Sequence, residues 1–110
     1  MGPVFKEVVI KFARGPSSKK YKVWLQHKGT SKVRTLTFGA KGYQQFRDST
    51  PKSKGGGLYV HKDHGENGRR RGYFSRHSGG RALKNQAVAF EARKSGGLYT
   101  PKLLSHIYLW

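Results

Sequence analysis

Apolar and polar residues alternate most clearly at 20–27 (KYKVWLQH). Tyr21, Val23 and Leu25 fall on one side of an extended chain, with Lys20, Lys22, Trp24 and Gln26 on the other. Residues 4–12 (VFKEVVIKF) are β-branched and aromatic and predict a strand before it. Residues 32–38 (KVRTLTF) predict a third, with Arg34, Leu36 and Phe38 on one face and Val33, Thr35 and Thr37 on the other. The connections are short: Gly15-Pro16 and two serines within 13–19, then Lys28-Gly29-Thr30-Ser31. Three strands so closely spaced predict an antiparallel meander. Lys20, Lys22, Lys32 and Arg34 are expected on its solvent side, where charge opposes edge-to-edge pairing.

Gly39-Ala40-Lys41-Gly42-Tyr43 closes the first half. It lacks the spacing of a phosphate-binding loop, so it is read as a turn that needs positive φ, with Tyr43 and Phe46 packed beneath it. Residues 48–57 (DSTPKSKGGG) form a loop by composition and are the candidate for disorder in the free protein. The string Gly56-Gly57-Leu58-Tyr59 recurs as Gly96-Gly97-Leu98-Tyr99, too short an echo to define a repeat.

The pattern then turns helical. Residues 66–77 (ENGRRRGYFSRH) predict a short or broken helix, because Gly68 and Gly72 each cost about 1 kcal/mol relative to Ala. Residues 81–94 predict a better one, with Leu83, Ala87 and Phe90 on one face and Gly96-Gly97 as its stop. Thr100-Pro101 is a helix start, an N-cap hydroxyl followed by proline at the first helical position. Its apolar stripe is read as Leu103, Ile107 and Trp110. The expected fold is α+β: a small three-stranded antiparallel meander followed by two or three short helices. It fits one domain, 1–110, strand-rich over 4–46, a Gly-rich basic loop over 48–65, and helical over 66–110. The expected core is Phe5 or Val9 with Tyr21, Val23, Leu25, Leu36, Phe38, Tyr43, Leu83, Phe90, Leu103, Ile107 and Trp110. Trp24, Tyr99 and Tyr108 are also read as packing residues rather than base-stacking ones.

Charge changes this picture of an ordinary small domain. Twenty-three Lys and Arg oppose five Asp and Glu, a formal net charge of +18 on 110 residues. Like-charge repulsion works against the compact state, so the excess points to a polyanionic partner. There is no cysteine, which excludes disulfides and thiolate metal sites. The longest apolar runs, such as Val8-Val9-Ile10, are too short to span a bilayer, so the chain is read as not transmembrane. The N-terminus lacks the apolar core of a secretory signal, which suggests synthesis in a cytosol-like compartment.

The densest cationic cluster is Arg69-Arg70-Arg71 with Arg76. On a helix, Arg69 and Arg76 share a face with Tyr73 between them, an arrangement suited to clamping phosphate or carboxylate beside an aromatic ring. Lys41 and Arg81 extend the candidate polyanion site. His61-x-x-His64, with Asp63 between and His77 further on, has the spacing of metal ligands but lacks a fourth donor. No metal and no cofactor are therefore expected, and His61 and His64 stay weak candidates. The five acids, Glu7, Asp48, Asp63, Glu66 and Glu91, form no evident pair for acid–base work. A metal-dependent nuclease built on Asp63, His64 and Glu66 is the least favoured reading.

Three segments carry a resemblance. They are Thr37-Phe38-Gly39-Ala40-Lys41-Gly42-Tyr43, then Arg69-Arg70-Arg71-Gly72-Tyr73-Phe74-Ser75-Arg76-His77, then Leu103-Leu104-Ser105-His106-Ile107-Tyr108-Leu109-Trp110. In this order the chain resembles a family of small, basic, functionally uncharacterised proteins of large nucleocytoplasmic DNA viruses. The loop over 44–65 is longer and richer in glycine than that family's pattern. The resemblance implies a viral source and a place in the virion, after synthesis in the host cytoplasm, and supplies no enzymatic activity. Together with the charge it gives the expectation of a non-enzymatic structural virion protein. The first form is a minor capsid or cement protein whose dispersed Lys and Arg bind acidic capsid proteins. The alternative is a sequence-independent DNA-binding protein that coats or condenses the genome. No small-molecule substrate is expected.

Overall fold

In the computed structural model, which describes residues 4–110, three antiparallel strands form a sheet in the order β1-β2-β3. They are β1 (Glu7–Arg14), β2 (Lys19–His27) and β3 (Val33–Ala40). Three helices follow, α1 (Asn67–His77), α2 (Lys84–Lys94) and α3 (Pro101–Tyr108). This is the small α+β meander-then-helices fold that the hydrophobic pattern predicts. Register follows alternation: Tyr21 pairs with Phe38, Val23 with Leu36 and Leu25 with Arg34. β1 carries a bulge, since Val9 pairs with Leu25 and Lys11 with Trp24, leaving Ile10 unpaired between them.

The two faces of the sheet differ. Val9, Phe12, Tyr21, Val23, Leu25 and Phe38 are buried on one, where Tyr59, Leu104 and Leu109 join them. On the other, Val8, Ile10 and Val33 are 47%, 40% and 53% exposed. α3 closes the covered face, lying against β3 and α2. A smaller cluster of Tyr73, Phe74 and Ala87 meets the main core through Trp110. The start of α3 is as expected: Thr100 Oγ1 accepts from the Leu103 N–H at 3.1 Å, with Pro101 at the first position.

Several expectations are corrected. Tyr43 is 73% exposed, because the turn after β3 projects from the sheet. Leu83 is 47% exposed: α2 begins at Lys84, so Leu83 is its N-cap residue and Ala87, Glu91 and Ala92 face inward. α3 buries Leu103, Leu104 and His106 rather than a Leu103–Ile107–Trp110 stripe, because it is packed on two sides. Trp24 belongs to neither core cluster. Lys20 is buried rather than solvated, whereas Arg34, on the face of Leu36 and Phe38 that its spacing predicts, stays exposed and pairs with Glu7.

Two buried polar networks organise the chain between and beneath these elements. In the Gly-rich loop over 48–65, Asp48 accepts from Tyr21 Oη at 2.5 Å, the Thr50 N–H at 3.0 Å, Thr50 Oγ1 at 2.5 Å and the Tyr59 N–H at 2.9 Å. Burial and the Asp48 bond push the Tyr21 hydroxyl up to about 12. Two short 3-10 turns, Lys52–Lys54 and Val60–Lys62, complete the loop. Between them Gly55 has φ +91, and a Cβ there would meet the Phe12 carbonyl oxygen. Gly55→Ala is therefore expected to cost on the order of 2 kcal/mol or more, measured by urea unfolding, whereas an unchanged midpoint would show that the loop does not seat on β1.

The second network is a directed chain. Ser78 Oγ donates to Glu91 Oε2 at 3.0 Å. Its single hydrogen is then used, so His106 Nε2–H donates to Ser78 Oγ at 2.7 Å and His106 Nδ1 accepts from Tyr73 Oη at 3.0 Å. His106 is fully enclosed and neutral in this arrangement.

Candidate polyanion-binding cleft

The carboxylates are where the cations' counterparts should be, and they are turned inward. Glu7, Asp48 and Glu91 are 3%, 6% and 6% exposed. Glu7 accepts from Arg34 Nε at 2.6 Å, Arg34 Nη2 at 2.8 Å and the Tyr99 N–H at 2.8 Å. The Arg34 hydrogen bonds hold its carboxyl below the usual range against the opposing effect of burial. Asp63 Oδ1 is half-buried and accepts from Gln45 Nε2 and the Asp48 N–H at 2.6 and 2.8 Å. Only Glu66 is exposed, beside Arg69 at 3.2 Å. Among the described residues just two cations, Arg34 and Arg69, have a carboxylate within salt-bridge distance. Lys20 alone of the 23 is buried.

Part of this charge lines a cleft of about 860 Å³ between the Lys19 end of β2, α1, and the first turns of α3. Lys19, Lys20, Arg69, Arg76 and Lys102 line it, with His77, and no carboxylate does. Its aromatic wall is Tyr73 stacked on Trp110, centroids 4.1 Å apart and planes within 3°. Exposed Tyr43 stands at the rim.

Local sequence explains the walls. Arg69, Tyr73 and Arg76 fall at i, i+4 and i+7 of α1, one helical face. Gly68 and Gly72 lie on that same face and leave its backbone bare toward the cleft. A Cβ on Gly72 would sit 3.1 Å from Arg76 Nη1, so the missing side chain makes room for the guanidinium. Gly72, which weakens the helix, thus gives Arg76 its place in the site, while Gly68 faces open space. On the opposite wall Lys20 lies over Gly39, whose φ is +80 and whose Cβ would crowd Lys20 and Leu109 at 3.1 and 3.0 Å. Lys20 Nζ donates to Gln45 Oε1 at 2.5 Å and the Tyr43 carbonyl at 2.7 Å. Burial pushes its pKa down to about 8, with the Asp48 charge opposing the shift. His77 is also lowered, by burial and then by Lys102 and Arg76, as a strongly positive neighbourhood requires.

Of the seven residues read from sequence as a polyanion site, the cleft brings together Arg69, Tyr73 and Arg76. The others lie elsewhere. Arg70 Nε donates to the Trp110 carbonyl at 2.9 Å, and its guanidinium covers the Phe46 ring at 4.4 Å. It is a structural arginine. Arg71 lines a separate groove with Lys84. Arg81 lies 3.7 Å over Phe90 and donates to the Ser78 carbonyl at 3.3 Å. Lys41 is exposed just past Ala40, outside the cleft walls. Lys19, Lys20, His77, Lys102 and Trp110 were not in that set, since only the tertiary fold gathers them. His64 Nδ1 accepts from the Glu66 N–H at 2.9 Å, and His61 is exposed beside the Tyr59 ring. Among the described residues no three His, Asp or Glu side chains form a metal-binding group, and no helix is long and apolar enough to cross a membrane.

Fold and cleft together define a small α+β protein with a cationic cleft, lined by no carboxylate, against an aromatic wall. No family model, curated protein or solved structure matches the chain.

Proposed function

We propose that the protein is a non-enzymatic polyanion-binding component of a virus particle, and that its cleft and cationic flanks hold a nucleic-acid backbone without reading sequence. One observation carries this reading: four of five carboxylates are taken up as internal acceptors, while 17 of 23 Lys and Arg are exposed. Cations left without internal counterions can release those of a phosphate backbone on binding. Arg76 and Arg69, seven residues apart on α1, carry forked donors suited to phosphate oxygens, with Arg69 Nη1 shared with Gln44 Oε1 at 2.9 Å and Glu66 Oε2 at 3.2 Å.

The double variant Arg69→Gln/Arg76→Gln tests it. Affinity for a DNA duplex of arbitrary sequence should weaken, and the slope of log affinity against log salt should drop by about two, one for each lost phosphate contact. An unchanged slope would remove the cleft from the interface.

A second reading is a minor capsid or cement protein binding acidic capsid proteins. It is favoured by one observation, that exposed Lys or Arg occur on all six strands and helices, as on Arg14, Lys19, Arg34, Arg71, Arg93 and Lys102. Tighter binding to purified capsomers than to DNA at equal ionic strength would favour it.

A further inference from the structure

We infer that the open face of the sheet is a second binding surface, one that stacks unpaired bases of single-stranded nucleic acid. This rests on the nucleic-acid reading above but uses different residues. The face consists of Val8, Ile10, Lys11 and Ala13 from β1, Lys22, Trp24 and Gln26 from β2, and Val33, Thr35 and Thr37 from β3. It holds no carboxylate, and Val8, Ile10 and Val33 stay substantially exposed.

Trp24 stands at its centre, opposite Lys11 on one side and Thr35 on the other. The ammonium groups of Lys11 and Lys22 lie 4.3 and 5.1 Å from the indole centroid. Neither has a carboxylate within salt-bridge distance among the described residues. The ring is thus their one aromatic partner, a weak one in water. A base that stacks on Trp24 displaces an ammonium that a phosphate of the same strand then receives. Ring and charge are satisfied together, which is how sequence-tolerant single-strand platforms work. A duplex cannot use the ring, because its bases are already stacked on one another. A second copy of this chain is repelled by like charge. An acidic peptide satisfies the lysines but offers the indole no comparable π face.

The test compares an oligothymidylate strand with a duplex by fluorescence anisotropy at low salt, using the wild type, Trp24→Leu, and the cleft variant Arg69→Gln/Arg76→Gln. Trp24→Leu should weaken single-strand binding about five- to a hundredfold and leave duplex binding unchanged. The cleft variant should weaken both. In a Trp110→Phe background, which leaves Trp24 as the sole indole, the oligothymidylate should quench its fluorescence and the duplex should not. This second readout decides the matter if Trp24→Leu fails to fold. Equal effects on both DNAs, no quenching, or quenching by polyglutamate but not by the oligothymidylate would overturn the inference, with the nucleic-acid reading intact wherever duplex still binds. Binding to neither DNA by the wild type would instead remove that reading.

Discussion

Replacing Asp48 by Ala is expected to lower stability by about 3–5 kcal/mol, a large part of what a domain this size possesses. The carboxylate is 6% exposed and takes hydrogen bonds from Tyr21, Tyr59 and twice from Thr50. Its removal strands these donors in the interior, where each unsatisfied group costs about 1–3 kcal/mol before relaxation. It also removes the negative charge that favours the ammonium of buried Lys20. Asp48→Asn keeps the shape and should cost less, since its amide still accepts at one oxygen. Urea unfolding monitored by far-UV circular dichroism measures both. A midpoint for Asp48→Ala within experimental error of wild type would show that the 48–59 loop does not depend on this hub.

Acid should destabilise the protein well above the carboxylate range. His106 is fully buried, and desolvation, then the charges of His77, Lys102 and Lys84, push its pKa down to about 4. Tyr73, Ser78 and Glu91 complete its surroundings, in a hydrogen-bonded chain that needs the neutral ring. Above pH 6.5 the ring is neutral in both states and the full stability is present. Between 6.5 and about 4 the unfolded chain binds a proton that the folded protein refuses, so stability falls with pH. The loss reaches about 3 kcal/mol at the lower end. His64 and His77 are lowered too and act in the same direction. Glu7, whose carboxyl is lowered from 4.5, adds its own loss only below that. Unfolding free energies at pH 7.5 and 4.5 should differ accordingly, and the difference should shrink in His106→Gln. Equal stability at the two values would mean that His106 is hydrated.

What the sequence made legible was local. Alternation at Tyr21, Val23 and Leu25 identified the covered face, Thr100-Pro101 the start of α3, and the spacing of Arg69, Tyr73 and Arg76 one wall of the cleft. The rest depended on partners distant along the chain. Lys20 reads as a solvent-facing residue until Gln45, 25 positions on, supplies an acceptor and Gly39 the space. Arg34 reads the same way until Glu7 meets it across β2. Scattered acids look idle for catalysis, and nothing in their spacing reveals that four of them are internal acceptors. Gly72 looks like a flaw in a helix because propensity counts backbone entropy and knows nothing of the guanidinium of Arg76 that lies against it.

The affinity of the wild-type protein for DNA of arbitrary sequence, measured across a range of salt concentrations, tests most directly that the outward cations serve a phosphate backbone. A linear fall of log affinity with log salt, with a slope corresponding to about six or more phosphate contacts and the same for unrelated sequences, is the predicted result. No binding at low ionic strength, or an affinity indifferent to salt, would contradict it.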